Sequence, residues 1–260
     1  MPGGGIYPGL MCGRFAMNDA VNAMITDFVL ATGRDPSEWM SSWVPSYNIR
    51  PTDPVPILLE TFVDRSAPSA PSAPSDPTAP TARRAELAQW WLTPSSAKAL
   101  RGSAPMFNAR SETVTERPAF RHPVKRQRAV IPAAGYFETM TLEGKKVPQF
   151  VRPPHGLLYF AGLYSWWADP DLPAHDPARW HLTTTILTRE AVGEIARVHD
   201  RTPVTLPRDL VDTWIDPHVL GDAGLVHDMV DAATDVAETL VFHRVASPIR
   251  GDSPETIAPA

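Results

Sequence analysis

The sequence predicts an α+β domain built on a curved antiparallel β-sheet or barrel with a few short helices. Three observations carry that expectation. Short runs rich in aromatic and β-branched residues recur at 55–63, 87–92, 129–137, 147–151, 157–164 and 180–188. Helical spacing is confined to a few short stretches. Of the 260 residues, 43% are hydrophobic, enough to build a core for one large domain or two small ones.

Residues 1–10, MPGGGIYPGL, form a Gly/Pro-rich leader with neither a basic nor an apolar stretch, so they do not read as a signal peptide. From Asp19 to about Ala31, helical spacing sets Val21, Met24, Ile25, Phe28 and Val29 on one face, with Asn18 or Asp19 suited to cap it. Val55–Val63 reads as a strand. Ser66 to Ala82 then repeats proline at 68, 71, 74, 77 and 80 and carries one charge, Asp76. Such a segment buries too little surface to offset its ordering entropy, and the period of three favours polyproline II. Residues 65–83 are therefore expected as a disordered surface insertion inside a single domain over 11–257, because motifs fall on both sides of it. Beyond it the remaining strands alternate with short helices at 189–198 and 207–215 and a third at 223–233. The chain is expected to fray after Arg250, with 258–260 a tail.

The net charge of −5 argues against a generally basic nucleic-acid coat protein. The average hides a split: residues 98–128 hold eight basic residues against Glu112 and Glu116, a local +6 that leaves −11 elsewhere. Clustered arginine can hold phosphate in an acidic protein because screening limits each charge's reach to about 10 Å. The alternative is a solvated loop and helix face. No apolar run approaches the roughly 18 residues of a membrane span, and a single cysteine excludes an internal disulfide framework. The expectation is a soluble, cytoplasmic protein without membrane contact.

Four segments carry candidate chemistry. Cys12, in Met11-Cys-Gly-Arg-Phe15, reads first as a small buried hydrophobe. If translation starts at Met11 and that methionine is removed, Cys12 instead becomes an N-terminal aminothiol. Its amine, near pKa 8, condenses with an aldehyde to an imine, and its thiol closes a five-membered thiazolidine. Phe107-Asn-Ala-Arg-Ser-Glu-Thr113 offers the paired donor and acceptor of Asn108 and the rigid fork of Arg110, or is an ordinary turn leading into a helix near Ser111. Glu138 ends an apolar run beside Tyr136 and Phe137, where desolvation would raise a carboxyl pKa toward acid–base work, unless it faces water. His199, beside Asp200 and Arg201 at a helix end, is a cap or a proton-transfer group. The other histidines form no HxxxH or HxH pattern, so neither a metal nor an organic cofactor is indicated.

These segments, in this order, resemble the SRAP family, the SOS response-associated peptidases or abasic site processing proteins. Met11–Phe15 is similar to the family's opening signature, Tyr47-Asn-Ile-Arg-Pro51 to its YNxxP segment, and Asn108–Thr113 to its NARxET segment. Gly135-Tyr-Phe-Glu138 resembles its GxxEW segment and His199-Asp-Arg-Thr-Pro203 its HxRMP segment. The resemblance implies a SRAP core that binds abasic sites in single-stranded DNA and links an N-terminal cysteine to the lesion's aldehyde as a thiazolidine. It also implies a thiol peptidase-like activity tied to removal of the protein's own N-terminal residue, and membership of a DNA-damage (SOS) response.

Carried over by position, Cys12 is the crosslinking nucleophile, Glu138 and His199 move protons, and Asn108 holds the abasic sugar. Arg14 and Arg110 grip flanking phosphates, and Pro51 and Trp90 pack beside neighbouring bases. The chain departs from the family pattern in five places: Thr139 follows the Glu, Trp91 replaces a Gly, Ser96 stands where the segment's second Trp is usual, Thr202 replaces a Met, and Ser247–Gly251 lacks the Asn-rich C-terminal pattern. The leader would block the amine, so the chain is expected to begin in practice at Cys12 and to act as a monomer. Two other readings stay open: a Cys12/His199 amide hydrolase with Glu138 in support, and a non-catalytic single-strand binding module with a Pro-rich partner arm.

Overall fold

The computed structural model describes residues 13–35, 43–63 and 78–260. The leader, Cys12 and most of the Pro-rich insertion lie outside the described residues. Twelve strands are described: β1 (Phe15–Met17), β2 (Ser46–Ile49), β3 (Pro54–Phe62), β4 (Thr81–Trp90), β5 (Asn108–Arg110), β6 (Arg128–Ala133), β7 (Gly135–Leu142), β8 (Lys145–Arg152), β9 (Leu158–Ala168), β10 (Trp180–Glu190), β11 (Arg201–Pro203) and β12 (Val241–Arg244). Four α-helices accompany them: α1 (Asp19–Leu30), α2 (Arg121–Arg126), α3 (Val211–Ile215) and α4 (Ala223–Thr239).

The fold is α+β and mostly antiparallel. One sheet runs β12-β8-β7-β1-β2. The other follows β10-β4-β3-β6-β9, and β9 pairs back onto β10 from Trp180↔Ala168 to Ile186↔Gly162, closing a five-stranded ring. Closure removes the free edges an open sheet would expose. Two pairings depart from the antiparallel expectation: β4 and β5 both lie parallel to β10, at Thr183↔Gln89 and Ile186↔Asn108.

Local sequence explains the boundaries. The Val21 amide donates to the Asn18 side chain at 3.3 Å, starting α1, which buries Val21, Ile25 and Val29 at helical spacing. The run 129–137, expected as one strand, is two. β6 ends at Ala133, the Ala134 amide turns onto the Ala16 carbonyl, and β7 enters the second sheet at Gly135. A Cβ at Gly135 would lie 2.5 Å from both the Phe150 ring and the Val151 carbonyl, so only glycine passes there.

The expected helix at 189–198 shrinks to a 3₁₀ turn at Gly193–Arg197, because Arg189 and Glu190 complete β10 by pairing with β11. The segment after Ser111 forms turns, and the helix begins only at Arg121. Residues 81–83, placed in the disordered insertion, are the start of β4, paired with β3 through Phe62↔Thr81. The tail does not fray at Arg250: Pro254–Ile257 is a 3₁₀ turn with Thr256 buried, and Asp252 accepts from Ser46 Oγ.

Among the described residues no helix is long and apolar enough to cross a membrane.

Candidate functional site

The two sheets meet where the motif segments converge. β1 pairs with β7 at Phe15↔Tyr136, and the Phe137 amide donates to the Arg14 carbonyl at 2.9 Å. The antiparallel register therefore sets Gly13 across from Glu138, and Cys12 is one peptide bond upstream of Gly13. Glu138 is only 7% exposed, in a sheet position opposite the equally buried Gln149.

Tyr136 carries the link to the histidine segment. Its hydroxyl hydrogen-bonds Thr202 Oγ1 at 2.8 Å in the core, tying the glutamate strand to β11, three residues beyond His199. The family's methionine at this position has no hydroxyl, so the bond belongs to this chain's own Thr202. Thr202→Val, which keeps the shape, is expected to lower the free energy of unfolding by about 1 kcal/mol in urea denaturation. An unchanged midpoint would show the bond to be of no consequence.

His199 is partly buried. Its Nδ1 lies 2.8 Å from Asp200 Oδ1 and 3.1 Å from the Arg201 amide. The two partners ask opposite things of Nδ1, a donor toward the carboxylate and an acceptor from the amide. Both engage the same nitrogen, Nδ1.

Arg201 fixes the neighbouring strands. Its guanidinium pairs with Glu112 at 2.5 and 2.9 Å and donates to the Thr188 carbonyl at 2.8 Å. Burial pushes the Glu112 carboxyl up, but the Arg201 hydrogen bond, a backbone hydrogen bond and the charges of Arg201 and Arg110 together hold its pKa below the usual carboxylate value. Asn108 and Arg110 lie on β5 against the same stretch of β10, at Ile186↔Asn108 and Thr188↔Arg110. Arg110 is exposed.

Arg14 is half-buried. The β1–β2 register, Phe15↔Ile49, places it across from Arg50. Burial, then the like charge of Arg50, lowers its pKa, and among the described residues neither arginine has a carboxylate partner. Two facing cations without a counter-charge repel each other and suit an anion shared between them. Arg50 has no place in the family signature, and its register position opposite Arg14 is visible only in the fold. Pro51, partly buried, follows it into a turn where Thr52 adopts φ +83°.

Trp90 needs correction. It was expected beside a base, yet it is 0% exposed. Its indole donates to the Phe107 carbonyl at 2.8 Å, and its ring meets Phe15 and Phe107 edge-on at 4.7 and 5.6 Å. It supports from below the residues adjacent to Arg14 and Asn108 and has no surface to offer a base. Among the described residues no group of three His, Cys, Asp or Glu is placed to hold a metal.

The segments brought together here are those that a family model, SOS response associated peptidase (SRAP), matches over residues 11–250. The chain belongs to the SRAP family. Among its SRAP relatives, the abasic site processing protein YoaM of Bacillus subtilis is 31% identical over 209 residues, 80% of each chain. The abasic site processing protein YoqW of the same organism is 28% identical over 251 residues, 95% of this chain and 99% of the relative. A crystal structure of a protein from Bacteroides thetaiotaomicron shares the fold at a TM-score of 0.70 and 18% identity, covering 96% of this chain and all of that one.

Proposed function

We propose that this SRAP protein processes abasic sites in single-stranded DNA by bonding Cys12 covalently to the lesion. The observation that carries the proposal is the β1–β7 register, which sets Gly13, the residue bonded to Cys12, across from buried Glu138. The ring-opened deoxyribose aldehyde condenses with the Cys12 amine, releasing water and leaving an imine. The thiol then adds to the imine carbon and its proton passes to nitrogen, giving a thiazolidine. Glu138 relays protons in these steps, His199 assists, and Asn108 holds the sugar. Arg14 and Arg110 take the flanking phosphates, and Pro51 lies beside a neighbouring base. The names of YoaM and YoqW support the lesion assignment. A place in the SOS response follows the family's own name.

The chemistry needs a free amine on Cys12. Protein beginning at Cys12, mixed with uracil-containing single-stranded DNA pretreated with uracil glycosylase, is expected to give a heat-resistant shifted band on a denaturing gel. Protein retaining residues 1–11, or carrying Cys12→Ser, is expected to give none. A peptide hydrolase would instead turn over an amide with Cys12 internal, and a binding module would retain salt-sensitive DNA affinity after Cys12→Ala. A stable band from the Cys12→Ser protein would overturn the thiazolidine reading.

A further inference from the structure

Beyond the residues assigned above, a cleft of about 630 Å³ opens between the loop following β4 and helix α2. This is within the volume range of small-ligand sites. Its floor is polar. Gln127 is only 5% exposed, and its backbone amide and carbonyl are both spoken for, by the Pro123 carbonyl and the Tyr164 amide. Its side-chain amide makes no hydrogen bond with the described residues, yet it is not sealed from open space. Ser165, 3% exposed, is in the same position: its carbonyl accepts from Thr183 Oγ1 while its own hydroxyl is unengaged and likewise open.

A side-chain amide and a hydroxyl that have no protein partner and reach open space are available to a ligand that pairs with both. The rim carries Arg121, His122 and Lys125, all exposed, and no carboxylate lines the cleft. Pro118 contributes an apolar wall.

We infer that this cleft binds a nucleotide, with the base edge on Gln127 and Ser165 and the phosphate on Arg121 and Lys125. A glutamine amide presents one donor and one acceptor side by side, the complement of the paired acceptor and donor of adenine. Arginine and lysine at the mouth supply charge for the phosphate. The lining is too polar for a purely apolar ligand, and a bare phosphate would leave the floor unused. The nucleotide is either free or one unit of a strand, and the two share this chemistry.

The test uses the full chain, isothermal titration calorimetry, and three probes: dAMP, inorganic phosphate and an undamaged eight-nucleotide dA strand. dAMP is expected to bind at least tenfold more tightly than phosphate. Gln127→Leu, and separately Ser165→Ala in case the leucine disturbs the fold, should remove that advantage while leaving phosphate affinity unchanged. Arg121→Gln with Lys125→Gln should weaken both probes. Competition between dAMP and the dA strand assigns the cleft to a nucleotide within a strand, and independent binding of dAMP assigns it to a free one. Equal affinity for dAMP and phosphate, or dAMP affinity unmoved in both floor variants, overturns the inference. None of these readouts involves Cys12, so a cleft that fails this test leaves the crosslinking reading untouched, and the reverse.

Discussion

Replacing Arg128 with methionine is expected to remove about 5 kcal/mol or more of folding stability, the largest effect of any single change to the scaffold. Arg128 is 1% exposed, and every donor of its guanidinium is used. Nε reaches the Trp214 carbonyl at 2.6 Å, Nη1 the Val124 and Lys125 carbonyls at 2.9 and 2.7 Å, and Nη2 the Asp216 and Val219 carbonyls at 2.6 and 2.9 Å. The same plane lies 5.6 Å from the Trp214 ring. Burial lowers its pKa to about 10, so the group remains charged at neutral pH.

The cation thus caps the last carbonyls of α2 and ties them to the 214–219 segment behind β6, where an apolar side chain would take a donor from five carbonyls, of which Lys125's keeps the Gly221 amide and those of Val124 and Trp214 lie in buried residues. Each unsatisfied buried carbonyl costs about 1–3 kcal/mol before relaxation. Against a total stability of roughly 5–15 kcal/mol, that is a large share. A fall in Tm of about 10–20 °C by circular dichroism is the expected reading, at 2–4 °C per kcal/mol for a chain of this size. Arg128→Lys should fall between, since an ammonium keeps the charge but lacks the planar fork. A methionine variant within about 1 kcal/mol of the parent would mean that water replaces the guanidinium there.

That clamp marks the line between what the sequence discloses and what it does not. α1 was legible almost to the residue, because its cap (Asn18) and its apolar spacing lie within a dozen positions. The strands at 145–152, 158–168 and 180–190 were legible as elements, since β-branched and aromatic runs report burial on a pleated surface. Their partners were not. The closure of β9 on β10 joins residues 12 to 24 apart and the parallel alignment of β4 with β10 joins residues 94 apart, and no local pattern encodes which edges meet. Arg128 read as one more member of a basic run, yet it is a buried structural cation. Lys125 and Arg121, from the same run, are exposed.

The site divides in the same way. Glu138, His199 and Asn108 stand out through their motif neighbours alone, and only the fold shows the Tyr136–Thr202 bond that ties β7 to β11 and the seating of Asn108 beside β10. Trp90 was misjudged because an aromatic at the end of a strand looks alike whether it points to solvent or into a ring, and here closure of that ring sends it inward. Gln127 and Ser165 gave no signal at all, as a single glutamine or serine is informative only once its burial and its missing partners are known.

Glu138→Gln is expected to slow crosslink formation about 100-fold while leaving the affinity for undamaged single-stranded DNA unchanged. The amide occupies the same volume in β7 opposite Gln149, so the sheet is retained, but it neither accepts nor delivers a proton at working pH. General acid–base catalysis typically supplies about 10²–10⁴-fold, and His199 can cover part of the loss, which sets the estimate at the lower end. Keeping a carboxylate 7% exposed carries a folding penalty that an apolar residue at that position would avoid. Removing it should therefore leave stability equal or slightly higher as activity falls, a combination that a purely structural role does not produce. The decisive measurement is the single-turnover rate of band formation in protein beginning at Cys12, beside a denaturation midpoint for the same variant. Loss of rate together with loss of stability would reduce Glu138 to a packing residue. A rate equal to the parent's would remove Glu138 from the proton relay.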